Sequence, residues 1–229
     1  MIVNFLKSTI KGNPLFAEVF SMLHGSNFWR HPKSVLCRGA ILRNVKFVIR
    51  GRNSCVSIPS GTIMTDCEIR VYGDNCKIVI LGGANSISNT VLWVEDDNSQ
   101  ILIGAGFTMQ GGQISATEGK RIEIGNDCMF SSGIDIRNGD SHGIFSLETG
   151  QRLNNAEDVK IGNHVWLTKD VTILKGSSIA NNIVVGNKSV VSGLLDKENA
   201  IYSGIPARLI KDNVVWDRYR VAKIDLSKS

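Results

Sequence analysis

The chain has 229 residues, of which 42% are hydrophobic and 21% charged, with 23 glycines, four prolines and a net charge of +5. This length and composition are typical of one ordered globular domain with at most a small appendage, which excludes a linker-rich or disordered chain. The positive charge is spread along the chain without the dense Lys/Arg run of a nucleic-acid-binding protein, and no apolar stretch is long enough to span a membrane.

Residues 1–34 are predicted to form a short helical cap. Asn13 and Pro14 suit the start of a helix, and an apolar stripe follows them before Gly25. Such a cap would cover the open apolar end of the region that follows, although weak association with a membrane surface is an alternative. The segment lacks the continuous apolar core and the cleavage site of a signal peptide, so we do not expect it to be one.

From Val35 onward, similar segments recur about every 22 or 23 residues. The stretches VIRGRNSCV, RVYGDNCKI and WVEDDNSQI bring Asn53, Asn75 and Asn98 into equivalent places. A fixed period of this length indicates a repeat architecture in which each unit stacks on the next. We interpret these units as coils of a solenoid with slightly enlarged corners.

A six-residue repeat dominates the C-terminal half. Apolar residues stand six positions apart within three runs, which are Ile103 and Met109, then Ile124, Phe130 and Ile136, then Ile161, Leu167, Ile173, Ile179, Val185 and Val191. A period of six fits neither an amphipathic helix nor an alternating strand. It is typical of a solenoid in which three short strands and three turns close one triangular coil, with the apolar residue pointing inward. We expect Gly162, Gly186 and Asn187 to relax the backbone at the corners.

His142 occupies the next position of this lattice after Ile136, where an inward aliphatic residue is expected. The chain then leaves the repeat for an excursion over residues 143–160. Imidazole is the usual side chain for removing a proton from an alcohol near neutral pH, and Asp140 stands two residues away. We predict that His142 is a general base; the alternative is a corner histidine satisfied by backbone carbonyls.

Trp166 lies 24 residues after His142, in the segment IGNHVWL. Once the excursion is discounted, the two residues lie on neighbouring coils, which predicts that they share a pocket. A tryptophan there can donate its indole N–H or form an apolar wall. His164, in the same segment, is more typical of a surface or interface position.

The repeat is predicted to end at the segment AIYSGIPARLIKD, with an exit turn at Gly204 and Pro206. Arg208 and Lys211 follow this turn. Basic side chains suit phosphate groups, and the candidates are Lys169, Lys175, Lys188 and Arg208, although a solvated basic rim is the alternative. Residues 211–229 are predicted to form a tail, either a short helix or an extended segment, that packs along the outside.

The segments GDSHGIF, IGNHVWL, VVGNKSVVSG and SGIPARLIK together resemble the hexapeptide-repeat acyltransferases. The 24-residue spacing from histidine to tryptophan most resembles the bacterial polysialic acid and capsular polysaccharide O-acetyltransferases. This resemblance, over residues 122–212, implies a left-handed parallel β-helix at residues 35–210 and a homotrimer with active sites between adjacent prisms. It also implies acetyl-CoA as the acyl donor and no metal. The left hand follows from the family, because parallel crossovers otherwise favour the right hand.

The resemblance also implies roles for individual residues. His142 takes the general-base role and Trp166 lies beside the thioester. Predicted contacts with acetyl-CoA are Trp166, Thr168, Lys169, Gly186, Ser192, Arg208 and Lys211; predicted contacts with the carbohydrate acceptor are Asp140, Arg152 and His164. Thr168 departs from the glycine that is common in the family, and this change would narrow the approach of the donor.

The leading prediction is a cytoplasmic, acetyl-CoA-dependent O-acetyltransferase acting on a sugar hydroxyl of a bacterial surface glycan (capsule, polysialic acid or O-antigen) or its precursor. The five cysteines are odd in number and lack zinc-like spacing, which favours reduced thiols in the cytoplasm.

One alternative is N-acetylation of an amino sugar on the same scaffold. A zinc hydratase would need three nitrogen ligands, and we see no third partner for His142 and His164. A non-catalytic solenoid that binds a partner is the last alternative.

Overall fold

Residues 33–223 are described by the computed structural model, and they contain strands, turns and loops but no helix. In chain order the strands are β1 (Val35–Leu36), β2 (Ile41–Ile49), β3 (Cys55–Ser57), β4 (Ile63–Val71), β5 (Lys77–Ile80), β6 (Ser86–Ser88), β7 (Thr90–Val94), β8 (Gln100–Ile103), β9 (Thr108–Met109), β10 (Gly112–Ala116), β11 (Arg121–Ile124), β12 (Met129–Phe130), β13 (Ile134–Arg137), β14 (Val159–Ile161), β15 (Trp166–Leu167), β16 (Thr172–Ile173), β17 (Ser178–Ile179), β18 (Ile183–Val185), β19 (Val190–Val191), β20 (Leu194–Leu195), β21 (Ala200–Gly204) and β22 (Ala207–Lys211). The predicted helical cap lies outside the described residues, except for a turn at Lys33 and Ser34.

The strands stack in three parallel columns, which we call faces 1, 2 and 3. Face 1 is an eight-stranded sheet in the order β1-β3-β5-β8-β11-β14-β17-β20. A second sheet bends over the other two faces, with β6, β9, β12, β15, β18 and β21 on face 2 and β7, β10, β13, β16 and β19 on face 3. The long strands β2 and β4 run through both. The chain therefore forms a parallel β-solenoid of about seven coils, as predicted, and the left hand stays a prediction.

The register confirms the six-residue repeat. Ile161 pairs with Ile179, Leu167 with Val185 and Ile173 with Val191, so each coil in this region takes 18 residues. The positions predicted to point inward from Ile124 to Val191 are all 4% exposed or less. Burial of each such aliphatic side chain is worth about 1.5–3 kcal/mol, and this stacked apolar column stabilises the prism.

The early coils turn at the three asparagines that the longer period brings into equivalent places. Asn53, Asn75 and Asn98 have φ of 53°, 57° and 63°. Asparagine tolerates this left-handed region better than most residues, because its short polar side chain bonds locally. The enlarged corners predicted from the longer period are therefore built on left-handed asparagines.

The glycines near the corners are needed for a different reason from the one predicted. Gly162 and Gly186 are not among the described residues with positive φ; His164 and Lys188 adopt it instead, at φ of 52° and 57°. A Cβ on Gly162 would lie 2.7 Å from the Oδ1 atom of Asn181, and one on Gly186 would lie 2.5 Å from the Oγ atom of Ser203. These glycines are required because the next coil approaches closely, not because the backbone turns there.

The excursion occupies residues 138–158, between β13 and β14 at the corner from face 3 to face 1. Its ends meet, since the backbone N–H of Glu157 donates to the carbonyl of Asn138 at 2.9 Å. An antiparallel bridge joins Phe145 and Arg152 inside it. Ile136 still pairs with Ile173 across the insertion, so the coil register is unchanged. The observed excursion begins five residues before the predicted range of 143–160 and ends two residues before it.

The described end of the chain is extended. Strands β21 and β22 form an antiparallel hairpin at the predicted exit turn, where the Ile205–Pro206 peptide bond is cis. Beyond β22 the chain reaches the corner between faces 1 and 2, where Trp216 bonds to His164 and Arg218 bonds to Asp127. Residues 212–223 contain no helix, and residues 224–229 of the predicted tail lie outside the described residues. Within residues 33–223 there is no helix long and apolar enough to cross a membrane.

Candidate active site

His142 projects from the corner between faces 3 and 1 and is exposed to solvent. Its ring makes no hydrogen bond or ion pair with any described residue, whereas its backbone is fixed on both sides. Ser141 has φ of 62°, a conformation that non-glycine residues rarely adopt. The strained residue before His142 is part of what turns the side chain out of the lattice.

Asn154 holds the His142 backbone in place. This residue is only 7% exposed. Its Nδ2 atom donates to the carbonyl of His142 at 2.8 Å and to Asp140 at 2.9 Å, while its Oδ1 atom accepts from the backbone N–H of Ile144 at 2.7 Å. Sequence reasoning missed Asn154, because one asparagine in a polar loop carries no periodic signal.

Asp140 is an internal brace of the same corner. Its carboxylate forms an ion pair with Lys175, which lies one coil further on at the same corner, and also accepts from Asn154. The hydrogen bond from Lys175, followed by that from Asn154, lowers the pKa of Asp140 below its usual value. The sequence offered Lys175 as a contact for phosphate groups, but in the structure its ammonium group forms an ion pair with Asp140.

Arg152 ties the excursion back to the preceding coil. Its two Nη atoms donate to the carboxylate of Glu118 at 2.9 and 2.6 Å. This bidentate contact lowers the pKa of Glu118, with the hydrogen bond from Arg152 as the largest cause. Asp140 and Arg152, predicted as acceptor contacts, are thus both engaged in holding the loop that carries His142.

Trp166 lies on face 2, with Met129 and Val184 as its pairing neighbours on adjacent coils. Its side chain is half-buried, and its indole N–H has no hydrogen-bond partner among the described residues. Face 2 lies across the prism from the corner that carries His142. One chain therefore does not bring these two residues together, and the predicted shared pocket requires a second chain.

His164 is part of a cluster at the corner between faces 1 and 2. Its Nδ1 atom lies 2.6 Å from the Oδ2 atom of Asp127, and its Nε2 atom lies 3.1 Å from the carbonyl oxygen of Trp216. Burial alone would raise the pKa of Asp127, but hydrogen bonds from His164 and Arg218 outweigh it, and the pKa is lowered. With both ring nitrogens occupied, His164 has no free polar ring atom for an acceptor, so its predicted role as an acceptor contact is not supported.

The residues predicted to contact the acyl donor fall mainly along one line. Thr168 and Lys169 lie on one coil and Gly186 on the next, at the corner between faces 2 and 3 beside Trp166. Arg208 and Lys211 are exposed on β22. The Thr168 hydroxyl donates to the carbonyl of Val185 at 2.6 Å, so it is folded onto the next coil.

Ser192 lies apart from this line, at the corner between faces 3 and 1. It shares that corner with His142. Within one chain the predicted donor contacts therefore divide between two corners of the prism.

A groove of about 400 Å³ lies on face 1, lined by apolar and polar side chains that include Leu102, Glu123 and Lys160. Neither His142 nor Trp166 lines it, so its size does not identify it as the site of chemistry. Among residues 33–223 no group of three or more His, Cys, Asp or Glu side chains is arranged to hold a metal ion.

Known proteins resemble this chain along most of its length. A polysialic acid O-acetyltransferase of Neisseria meningitidis is 38% identical over 189 residues, which cover 74% of this chain and 88% of the relative. A polysialic acid O-acetyltransferase of Escherichia coli O1:K1 is 30% identical over 131 residues, 57% of this chain and 42% of that protein. No family model matches the chain.

Two solved structures of similar fold are also polysialic acid acetyltransferases. The polysialic acid O-acetyltransferase OatWY superposes with a TM-score of 0.59 and 33% identity, covering 78% of this chain and 94% of its own. The acetyltransferase NeuO gives a TM-score of 0.59 at 24% identity, covering 83% and 91%, and supports the fold alone. The repeat, the strand stacking and these relatives together show that this enzyme is an acyltransferase and that the chain belongs to the hexapeptide-repeat acetyltransferase family.

Proposed function

We propose that this enzyme transfers an acetyl group from acetyl-CoA to a sugar hydroxyl of a bacterial surface polysaccharide or its precursor. The observation that carries the proposal is the contrast between the two described histidines. His164 has both ring nitrogens occupied, whereas the exposed ring of His142 has no described partner and lies on a braced loop. The resemblance to two polysialic acid O-acetyltransferases supports the choice of a polysaccharide acceptor.

His142 performs the proton transfer. Its imidazole accepts the proton of the acceptor hydroxyl as the oxygen attacks the thioester carbonyl carbon, and it returns that proton to the sulfur when the carbon–sulfur bond breaks. Negative charge builds on the carbonyl oxygen between these events. The unpaired indole N–H of Trp166, or a backbone N–H, stabilises that charge.

This chemistry requires a second copy of the chain. His142 and Trp166 lie on opposite sides of one prism, so a working site combines His142 from one copy with Trp166 from a neighbour. We therefore propose a homotrimer with one cleft between each pair of prisms. Ser192, at the corner that carries His142, then faces the donor line of the neighbouring copy.

The donor lies along the corner between faces 2 and 3 in this proposal. Its thioester is beside Trp166, its pantetheine chain passes Thr168 and Gly186, and its phosphates meet Lys169, Arg208 and Lys211. Arginine and lysine suit phosphate oxygens by hydrogen bonding and charge. The enzyme works in the cytoplasm in this proposal, and the acceptor's identity is set by residues near the excursion.

The test is the His142→Ala variant assayed with acetyl-CoA and a panel of glycan acceptors. We expect kcat to fall roughly 10²- to 10⁴-fold, the usual cost of losing a general base, with calorimetric binding of coenzyme A retained. The matched control is Glu148→Ala, an exposed residue of the same excursion, which should keep full turnover. NMR of the product locates the acetyl group on oxygen or nitrogen. Near-full turnover by His142→Ala would remove the histidine from the mechanism, and an intact chain that does not bind coenzyme A would overturn the proposed function.

A further inference from the structure

The end of the chain forms a strap over the corner next to Trp166. We call residues 212–220 the C-terminal strap. It leaves β22 and is joined to the last coil by a hydrogen bond from the backbone N–H of Val214 to the carbonyl of Asn199, at 2.9 Å. From there it runs back along the prism toward earlier coils.

Arg218 anchors the far end of the strap. Its guanidinium donates to Asp127 at 2.8 Å, to the Thr108 hydroxyl at 2.8 Å, and to the carbonyls of Gly106 and Cys128 at 2.8 and 3.0 Å. The acceptors come from two successive coils, and one of them is charged. Hydrogen bonds that involve a charged group are the stronger kind, so this end of the strap is firmly held.

Trp216 is the centre of the strap and is only 7% exposed. Its ring stacks on the imidazole of His164, with centroids 4.0 Å apart and planes 13° apart, and its indole N–H donates to the carbonyl of His164 at 2.9 Å. Asp127 completes the arrangement, because it bonds to both His164 and Arg218.

Trp216 also borders Trp166. The two ring centroids are 5.8 Å apart and the planes are tilted by 45°. Trp166 itself points outward from a two-residue strand and its indole N–H has no described partner, so its own strand does little to fix its rotamer. At this separation the ring of Trp216 is the aromatic neighbour of the Trp166 indole.

We propose that Trp216 is a positioning residue for Trp166, held in place by the anchors at His164, Asp127 and Arg218. The inference rests on the proposed function, in which Trp166 borders the thioester. Trp216 does not touch the donor; it sets the direction of the Trp166 ring. Misplacement of a group by about 1 Å can cost roughly 10²-fold in rate, so this orientation matters to turnover.

The first experiment compares the full-length chain with Trp216→Ala and Trp216→Phe. We expect kcat/KM for acetyl-CoA to fall roughly tenfold or more in the alanine variant, and by less in the phenylalanine variant, which keeps a ring against Trp166 but loses the N–H bond to His164. Tyr219→Ala is the matched control, because Tyr219 is a strap residue that is 77% exposed. Equal losses in Tyr219→Ala and Trp216→Ala would overturn the proposal. If the alanine variant does not fold, the phenylalanine variant provides the test.

A double-mutant cycle separates positioning from general structural support. If Trp216 acts through Trp166, the Trp166→Ala/Trp216→Ala variant should be no slower than Trp166→Ala alone, whereas independent roles would give additive losses and overturn the inference. Near-UV circular dichroism adds a readout without turnover: either single substitution should remove the same band from the coupled tryptophan pair. A kinetically silent Trp166→Ala would instead remove Trp166 from the proposed function, and this inference with it, while leaving the test of His142 unaffected.

Discussion

The two regions that supply the proposed chemistry are held together by different forces. The excursion corner, residues 138–158, carries His142 on a loop fixed by polar contacts of Asn154, Arg152 and Asp140. The Trp166 face, made of β12, β15 and β18, is fixed by parallel pairing over buried aliphatic side chains. Polar contacts of half-exposed groups respond to charge and pH, whereas apolar burial does not. We therefore expect the two regions to respond differently to the same kinds of perturbation.

The largest expected effect is on the Trp166 face. Leu167 is fully buried and pairs with Phe130 and Val185, so Leu167→Ala should reduce the free energy of unfolding by about 2–5 kcal/mol through lost burial and a cavity. Denaturant unfolding measures it. The matched control in the excursion corner is Leu153→Ala, 66% exposed, which should change stability by no more than about 0.5 kcal/mol. Similar losses in the two variants would contradict the comparison.

Asn154→Ala should have the next largest effect, and it should act on catalysis as well as stability. Removing a buried side chain that bonds both sides of His142 should cost about 1–3 kcal/mol in unfolding free energy, because its partners lose their hydrogen bonds. We expect kcat to fall while the affinity for coenzyme A, measured by calorimetry, stays close to that of the parent chain. The exposed neighbour substitution Asn155→Ala should change neither quantity. A weakened affinity for coenzyme A with unchanged kcat would show that the loop does not serve His142.

Glu118→Gln should loosen the excursion corner without affecting the Trp166 face. The amide keeps the shape of the side chain but loses the charge that pairs with Arg152, and such half-exposed pairs contribute modestly. We expect faster amide hydrogen exchange in residues 143–153 and unchanged exchange in β15, with a smaller drop in melting temperature than for Asn154→Ala. Uniform acceleration across both regions would show that they unfold as one unit.

Acid should loosen the excursion corner, as Glu118→Gln does, and we expect this effect to be the smallest of the four. The pKa values of Asp140 and Glu118 are lowered from ordinary values of 3.8 and 4.5, mainly by hydrogen bonds from Lys175 and Arg152 respectively. Stability from a lowered carboxyl pKa is present above the unfolded-state pKa and is lost as pH falls through the folded-state pKa. Exchange protection of the excursion should therefore decrease below about pH 4, relative to β15.

The Asp140→Asn/Glu118→Gln variant is the control for this pH experiment. It should be less protected at neutral pH and should lack most of the decrease in acid. The pKa of Asp127 is lowered as well, but this residue lies at the corner between faces 1 and 2. A decrease that persists in the double variant would assign the acid effect to a group other than Asp140 and Glu118.

Local patterns in the sequence were sufficient to predict the solenoid. A coil of 18 residues brings every sixth side chain to the same inward line, so the periodic apolar residues predicted both the coil and its core, and Ile161 indeed pairs with Ile179. The 22- or 23-residue spacing of the early coils predicted that Asn53, Asn75 and Asn98 occupy equivalent corners, and the structure adds that all three have a left-handed backbone. The break at His142 was readable because a polar residue replaced an expected aliphatic one.

The contacts that orient the candidate site could not be predicted from the sequence. Arg218 meets Gly106 across 112 residues, and Trp216 meets His164 across 52, with no shared period to relate them. Asn154 bonds His142 only because the excursion folds back on itself. The need for Gly162 was predicted for the wrong reason, since the distance between coils, not the local φ, excludes a side chain there.

The sequence by itself determined the inward apolar column, the coil length and the point at which the lattice breaks, because these depend on residue type at a constant spacing. The tertiary structure decided which polar groups are free and which are engaged. In the folded chain both ring nitrogens of His164 are hydrogen-bonded, the ring of His142 is exposed, and Trp166 lies on a different side of the prism. The physical reason is that hydrogen bonding between distant segments depends on how the coils, the excursion and the strap come together in space, and no local pattern encodes that arrangement.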